Sequence, residues 1–316
     1  MRIFRNNQRP RKIARESVAA IGNFDGLHLG HVSVIRLAQD IAKEGGKPSG
    51  VVTFEPHPRE FFAPAAPPFR LMSGESRIAR IRDLGIDVLF ELTFNSELSM
   101  LGADEFAASV LKEQLLLSHV VVGSDFRFGH RRSGDVKLLT ASGKRHGFEV
   151  TVAPEFGGQD GKCSSSAIRK ALSEGRTRDA ARMLGRRHSI EGRVEKGAQR
   201  GRKLGFPTLN IGISGFHPPR FGVYAAFADV RSGPHAGRYR GSASIGIRPT
   251  FGRNKPILEI FLFDFSGDLY GERVSVELVE FQREEQRFES ARKLVDQMQI
   301  DCARSRAILD SAGESQ

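Results

Sequence analysis

Along residues 18–154, short apolar runs alternate with stretches whose apolar positions recur every three or four residues. The runs VAAIGNF (18–24), GVVTFE (50–55), DVLFELTF (87–94), HVVVGSDF (119–126) and FEVTVAP (148–154) have the length and composition of strands. Between the first two, HVSVIRLAQDIAKEGG (31–46) carries Val32, Ile35, Ala38 and Ala42 on one helical face and stops at Gly45. SGESRIARIRDLG (73–85) sets Ile78 and Ile81 on one face, between Ser73 as N-cap and Gly85 as the stop. ADEFAASVLKEQL (103–115) has acids in its first turn, where the helix dipole favours them. SSSAIRKALSEG (164–175) opens on serines able to cap, and TRDAARMLG (177–185) runs from Thr177 to Gly185. Strands alternating with helices predict an α/β fold with a parallel sheet, and ligands bind such sheets beyond the carboxyl ends of the strands.

After Gly185 the pattern changes. VYAAFADV (223–230), GSASIGI (241–247), ILEIFLFDF (257–265) and RVSVELVEF (273–281) follow one another with Gly, Pro and Asp between them and no helical spacing. That predicts an antiparallel barrel or sandwich. SARKLVDQMQIDCARSRAIL (290–309) then resumes helical spacing through Leu294, Met298, Cys302 and Ile308, as a terminal helix lying on the barrel. Two domains, 1–185 and 186–316, suit a chain of 316 residues, more than one core usually organises.

Composition narrows the partners. Hydrophobic residues at 39% and charged residues at 27% are ordinary for a globular protein. No apolar run approaches the roughly 18 residues of a membrane helix, and no apolar signal core follows the basic start MRIFRNNQRPRK, so no membrane is expected. Cys163 and Cys302 match no metal spacing and fit a reduced, cytoplasmic compartment. The net charge of +11 attracts polyanions, and the densest basic stretch is RRHSIEGRVEKGAQRGRK (186–203). That stretch reads as a solvated turn, a phosphate-binding loop or a nucleic-acid patch. Stacking on bases needs surface aromatics. The chain has no Trp and three Tyr, and its Phe lie mostly in apolar runs, which argues against nucleic acid as a partner.

Two stretches carry candidate chemistry. GNFDGLHLGH (22–31) leaves the first strand directly. Gly22 and Gly26 allow a sharp turn, and Gly30 has no side chain to keep a ligand away. His28 and His31 share a face at a helix start, where free N–H groups and the dipole attract phosphate. Two imidazoles there can stabilise charge developing on a phosphoryl group, whereas a metal would need a third ligand that the sequence does not supply clearly. In GAQRGRKLGFPTLNI (197–211), Gly197, Gly201 and Gly205 interrupt a basic run before Thr208 and Asn210, which point the same way on an extended chain. Their oxygens are of the kind Mg²⁺ prefers, although a Gly-rich turn entering a strand explains the pattern equally. Glu259 is a lone acid in an apolar strand, so it lies either on the solvent face or in a site.

GNFDGLHLGH resembles the H-x-G-H signature of the nucleotidyltransferase superfamily. Together with VVTFEPHPREFF (51–62), VVGSDFRFGHRRSGD (121–135) and CSSSAIRKAL (163–172), it resembles the adenylyltransferase module of bacterial bifunctional riboflavin kinase/FAD synthetases, in the family's order across 18–185. G-x-P-T-x-N at 205–210, PPRFGVYA (218–225), IGIRPTFG (245–252) and ILEIFLFDFSGDLYG (257–271) resemble the flavokinase module across 186–311. The resemblance implies a Rossmann-like nucleotidyltransferase domain followed by a β-barrel kinase domain. It implies phosphorylation of riboflavin to FMN with ATP, then adenylylation of FMN to FAD and pyrophosphate, with Mg²⁺ as cofactor. A monomer or weak homo-oligomer is expected. By the same resemblance His28 and His31 contact the ATP phosphates, and Gly22, Asn23, Phe24, Asp25 and Gly30 shape the loop around them. Asp125 helps hold the nucleotide, while Ser164, Ser165 and Arg169 close on the triphosphate. Gly201 and Gly205 belong to the kinase phosphate loop, Thr208 and Asn210 hold Mg²⁺ and phosphate, and Glu259 takes the riboflavin hydroxyl proton. Three positions depart from the family's pattern: Ser166 where threonine is usual, Leu209 where alanine is usual, and Phe261 where histidine is frequent.

Overall fold

The computed structural model describes residues 1–5, 14–157, 163–197, 201, 204–250 and 253–313. By packing, the chain divides into two compact units: Met1–Ala66 with Gly74–Cys163, and Pro67–Ser73 with Ser164–Gln316. This division falls earlier than the change of sequence pattern at Gly185.

The first unit holds strands β1 (Arg2–Arg5), β2 (Val18–Ile21), β3 (Ser49–Glu55), β4 (Val88–Thr93), β5 (His119–Gly123) and β6 (Glu149–Ala153). They form one parallel sheet in the order β1-β4-β3-β2-β5-β6. β2 is buried at all four of its residues, as a central parallel strand covered on both faces must be. The helices are α1 (Leu29–Glu44), α2 (Pro58–Phe62), α3 (Gly74–Asp83), α4 (Ser96–Met100), α5 (Ala103–Glu105) and α6 (Val136–His146). α1 buries Val34, Ile35, Ala38 and Ala42, so Val34 takes the place in the stripe expected of Val32. It ends at Gly45 as expected. α3 buries Ile78 and Ile81, but also Ser76 and Arg77. The helix expected over 103–115 begins as α5 and widens over Phe106–Gln114, where the Leu115 N–H reaches back five residues to Val110 O. β1 was not expected: the basic N-terminus pairs with β4 at the sheet edge, and Arg5 bonds Glu91 directly across the pair.

Strand order places the reversal of winding at β2. The chain reaches β3 on one side through α1, and β5 flanks β2 on the other. The crevice beyond their carboxyl ends is the ligand position of such sheets. Residues 22–28 leave β2 there, and Asp125 leaves β5 there.

The second unit opens with α7 (Ser165–Ser173) and α8 (Thr177–Leu184), followed by β7 (His188–Arg193), β8 (Thr208–Gly212), β9 (Gly222–Val230), β10 (Gly237–Thr250), β11 (Arg253–Leu262), β12 (Arg273–Arg283) and α9 (Ala291–Gly313). Its sheet is antiparallel in the order β7-β12-β9-β10-β11-β8. The sheet curls until its edges meet, where the Glu195 N–H donates to Asn210 O at 2.8 Å. Ile211, Tyr224, Ala243, Ile245, Leu258, Ile260 and Val276 fill the interior. Gly185 ends α8 at φ +69°, a left-handed value that suits glycine. The segment 67–73 lies against this unit: Arg70 bridges Phe216, and Arg70 O accepts the His217 N–H.

α9 lies on the barrel as expected, with Leu309 beside Ala225, Phe227, Phe263 and Val279. Its buried face differs from the apolar spacing. Asp301, Ser305 and Leu309 are buried, while Leu294, Met298, Cys302 and Ile308 are half-buried. Asp301 takes two hydrogen bonds from Arg283, at 2.9 and 2.5 Å, and Ser305 pairs with Gln282. Side-chain pairing to β12 therefore joins apolar contact in holding this helix.

Candidate active sites

At the first site the loop after β2 turns through three left-handed residues: Phe24 at φ +52°, Gly26 at +81° and Leu27 at +41°. Only the glycine adopts such a conformation without strain. The turn is closed by Leu27 N–H to Phe24 O, and Phe24, Asp25 and Leu27 are buried. The chain then enters α1 at His28, the N-cap, whose Nδ1 accepts the His31 N–H at 3.2 Å. A ring nitrogen that accepts a backbone N–H carries no proton, so in the neutral ring the proton sits on Nε2 as a donor. The same bond occupies the lone pair that a metal would need at Nδ1. The His28 and His31 rings stack at 3.6 Å with 20° between their planes, and Phe24 packs edge-on to His31. Gly30 lies beneath this pair, and a Cβ there would stand 3.2 Å from the His28 ring. Gly22 gives room in the same way to the Phe24 ring, at 3.1 Å. Asp125 is exposed, just past the end of β5.

The loop is also held from a side the sequence reading missed. Arg77 of α3 donates from Nη1 to Asn23 O at 3.1 Å and from Nη2 to Glu55 Oε2 at 2.9 Å. The sequence signal was a cation beside Ile78 and one turn before Ile81, on the apolar face of a helix. A cluster of Phe61, Phe62 and Phe94, with ring centroids 5.3–5.6 Å apart, follows β3 and β4; Phe62 is 65% exposed.

In the second unit, Ser164 is the N-cap of α7, its oxygen accepting the Ala167 N–H at 3.2 Å. Ser165 opens the first turn. Arg169 donates from Nε to Phe69 O at 2.7 Å and lies over the Phe69 ring.

The second candidate site is assembled by strand register. β11 pairs with β8 so that Glu259 faces Asn210 and Phe261 faces Thr208. Leu258 and Ile260 point into the core at 0% exposure, so Glu259 and Phe261 point away from it, and Glu259 is half-buried. In β8, Ile211 is in the core and Leu209 packs against it, which sends Thr208 and Asn210 to the face of Glu259. Pairing to β10 sets Ser244 opposite Glu259 on this face. Gly197 and Gly201 are closely packed: a Cβ on Gly197 would stand 2.5 Å from the Asn210 amide, and one on Gly201 2.3 Å from Phe206 O. Gly205 turns the chain at φ +85°. Asn210, 5% exposed, donates from Nδ2 to Thr208 O at 3.3 Å, which leaves its Oδ1 as an acceptor. Phe261 packs edge-on to Phe206 at 5.2 Å, so the position that departs from the family's pattern fills an apolar corner. Residues 198–200 and 202–203, with the basic Arg200, Arg202 and Lys203, lie outside the described residues.

Among the described residues no group of three or more His, Cys, Asp or Glu is placed to hold a metal ion. Thr208 and Asn210 offer neutral oxygens, a donor set that fits Mg²⁺ only when phosphate oxygens supply the charge.

Residues 10–167 match the FAD synthetase family, and residues 184–309 match riboflavin kinase. The chain is 40% identical to the bifunctional riboflavin kinase/FMN adenylyltransferase of Pseudomonas fluorescens, over 96% of each chain. The protein of that name from Haemophilus influenzae is 35% identical, covering 98% of this chain and all of its own, and that from Escherichia coli K12 is 36% identical over 90% of each. A crystal structure from Streptococcus pneumoniae, titled a macrolide-efflux protein, superposes with a TM-score of 0.83 at 29% identity, covering 95% of this chain and 97% of that one. Among the described residues no helix of this chain is long and apolar enough to cross a membrane.

Proposed function

The chain belongs to the family of bifunctional riboflavin kinase/FMN adenylyltransferases, and from that premise we propose how its residues divide the two reactions. It is an ATP-using enzyme of flavin cofactor biosynthesis, which phosphorylates riboflavin to FMN and adenylylates FMN to FAD.

In the adenylyltransferase unit an FMN phosphate oxygen attacks the α-phosphorus of ATP, and pyrophosphate leaves. The FMN phosphate is already ionised near neutral pH, so no general base is needed. Catalysis is positioning and charge stabilisation. His28 Nε2–H, His31 and the first-turn N–H groups of α1 face the charge that gathers on the phosphoryl oxygens. The supporting observation is the stacked imidazole pair at the α1 N-terminus. Asp125 helps hold the nucleotide, and the edge-to-face cluster of Phe61, Phe62 and Phe94 offers apolar contact to an isoalloxazine ring. The phosphate-binding role expected of Ser164, Ser165 and Arg169 falls to α7 of the second unit, where Ser164 also caps the helix and Arg169 also bonds Phe69 O.

In the kinase unit Glu259 accepts the riboflavin 5′-hydroxyl proton as that oxygen attacks the γ-phosphorus and ADP leaves. The supporting observation is the register that aligns Asn210 with Glu259 and Thr208 with Phe261 on one face. Thr208 and Asn210 would hold Mg²⁺, which when bound neutralises phosphate charge. Gly201 and Gly205 serve phosphate binding in this unit. The enzyme works in the cytoplasm as a monomer or weak homo-oligomer; its half-buried Cys163 and Cys302, neither in a disulfide, fit a reducing compartment.

The test is a time course with riboflavin, ATP and Mg²⁺, with the flavins separated at intervals. FMN should rise and then give way to FAD. Bound flavin without turnover would replace this reading with that of a flavin-binding protein, and FMN accumulating without FAD, even from supplied FMN, would remove the role of the histidine loop.

A further inference from the structure

We propose that Arg77 is a positioning residue of the adenylyltransferase site, holding the loop 22–27 in the shape that presents His28. The proposal rests on the reading of His28 given above.

Arg77 sits in the first turns of α3 with 2% of its surface exposed. A buried guanidinium is retained only where its donors and charge are matched. Nη1 donates to Asn23 O at 3.1 Å, while Nη2 donates to Phe54 O at 3.3 Å and to Glu55 Oε2 at 2.9 Å. Glu91 Oε2 stands 3.9 Å from Nη2, and the other Glu91 oxygen takes the Arg5 Nε–H at 2.7 Å. The two carbonyls lie at the carboxyl ends of adjacent strands, β2 and β3. The guanidinium therefore ties the exit of β2 to the exit of β3, with two carboxylates balancing its charge.

Asn23 is where this matters. Its carbonyl accepts a second bond, from Thr53 Oγ1 at 3.3 Å, and Thr53 is fully buried. The next residue, Phe24, is left-handed, as are Gly26 and Leu27. Strained backbone persists only when its surroundings over-determine it. Downstream the loop is fixed by the His28–His31 cap; upstream it is fixed by the two donors on Asn23 O. Release of that carbonyl lets the turn relax, and the relaxation is passed directly to the ring of His28. Arg77 does this work through backbone atoms, without touching substrate.

The test compares Arg77→Met, Arg77→Lys and Thr53→Val in the full chain, with His28→Ala as reference. Thr53→Val keeps shape and strand preference while removing only the hydroxyl bond, so it stays informative should Arg77→Met fail to fold. FAD formation from FMN, FMN formation from riboflavin and the thermal midpoint are read on each protein. For Arg77→Met the kcat of adenylylation should fall roughly 100-fold with little change in the KM for FMN. Arg77→Lys should recover part of it, and Thr53→Val should lower kcat about three- to tenfold. Riboflavin phosphorylation should stay unchanged throughout. The proposal is overturned if folded Thr53→Val and Arg77→Met retain full adenylylation kcat, or if kcat falls only in proportion to lost folded protein. An unchanged rate in His28→Ala would instead remove the premise, and the proposal with it.

Discussion

The histidine loop and the Glu259 face, the two sites proposed to meet phosphate, differ in their scaffolds. At the first, the chemistry is contiguous. Gly22 to His31 are ten successive residues, and a strand exit, left-handed turns and a helix N-terminus deliver both imidazoles. At the second, Thr208 and Asn210 come from β8 and Glu259 from β11, and only the β8–β11 register brings them to one face. A contiguous site depends on the conformation of its loop, hence on what pins that loop. A register site depends on the alternation of in and out along each strand, hence on core residues such as Leu258, Ile260 and Ile211.

That contrast can be broken or sharpened by substitution. The largest effect is expected for Glu259→Gln. Loss of the proton acceptor should cost riboflavin phosphorylation roughly 1,000-fold while FAD formation from supplied FMN continues. Loss of both activities in a folded protein would contradict two independent sites. Next is His28→Ala, for which adenylylation should fall about 100- to 1,000-fold with phosphorylation intact. Separate assays of the two activities would show whether the effect stays in its unit. A smaller effect is expected of Gly197→Ala, whose Cβ would stand 2.5 Å from the Asn210 amide. Displacing that amide should slow phosphorylation about tenfold and raise the Mg²⁺ concentration needed for half-maximal rate. If the rate is unchanged, Asn210 is not a ligand.

The smallest effect concerns stability. His119 of β5 has its pKa lowered from 6.5, chiefly by burial, with Lys47 adding to this and Glu149 opposing it. The unfolded chain therefore binds this proton more readily than the folded one. Stability conferred by the neutral ring is present above pH 6.5 and is lost as pH falls below it. His119→Asn should flatten this part of the pH profile in a denaturant titration, and an unaltered slope would show that the ring contributes nothing to it.

The legibility of each feature follows the range of the interaction behind it. Helix stops at Gly45 and Gly185 were readable because they are local backbone preferences. The shared face of Thr208 and Asn210 was readable from strand geometry, since alternation needs no partner. β1 was not, because four residues rich in arginine look like a solvated end until an edge strand offers them hydrogen bonds and Glu91 offers Arg5 a partner. The buried face of α9 was misjudged, because Asp301 and Ser305 enter the interior only where Arg283 and Gln282 of β12 meet them.

The sequence by itself determined the order of elements, the change from helix-wrapped parallel sheet to antiparallel barrel, and the residue types at both sites, because these rest on periodicity and on neighbours along the chain. Tertiary structure alone decided that Glu259 stands opposite Asn210, that His28 keeps its Nδ1 on a backbone N–H, and that Arg77 rather than a nearer residue holds Asn23. Each of those is a contact between groups whose separation along the chain says nothing of their distance in space, except for the cap, where the choice between backbone and metal depended on the ring's rotation.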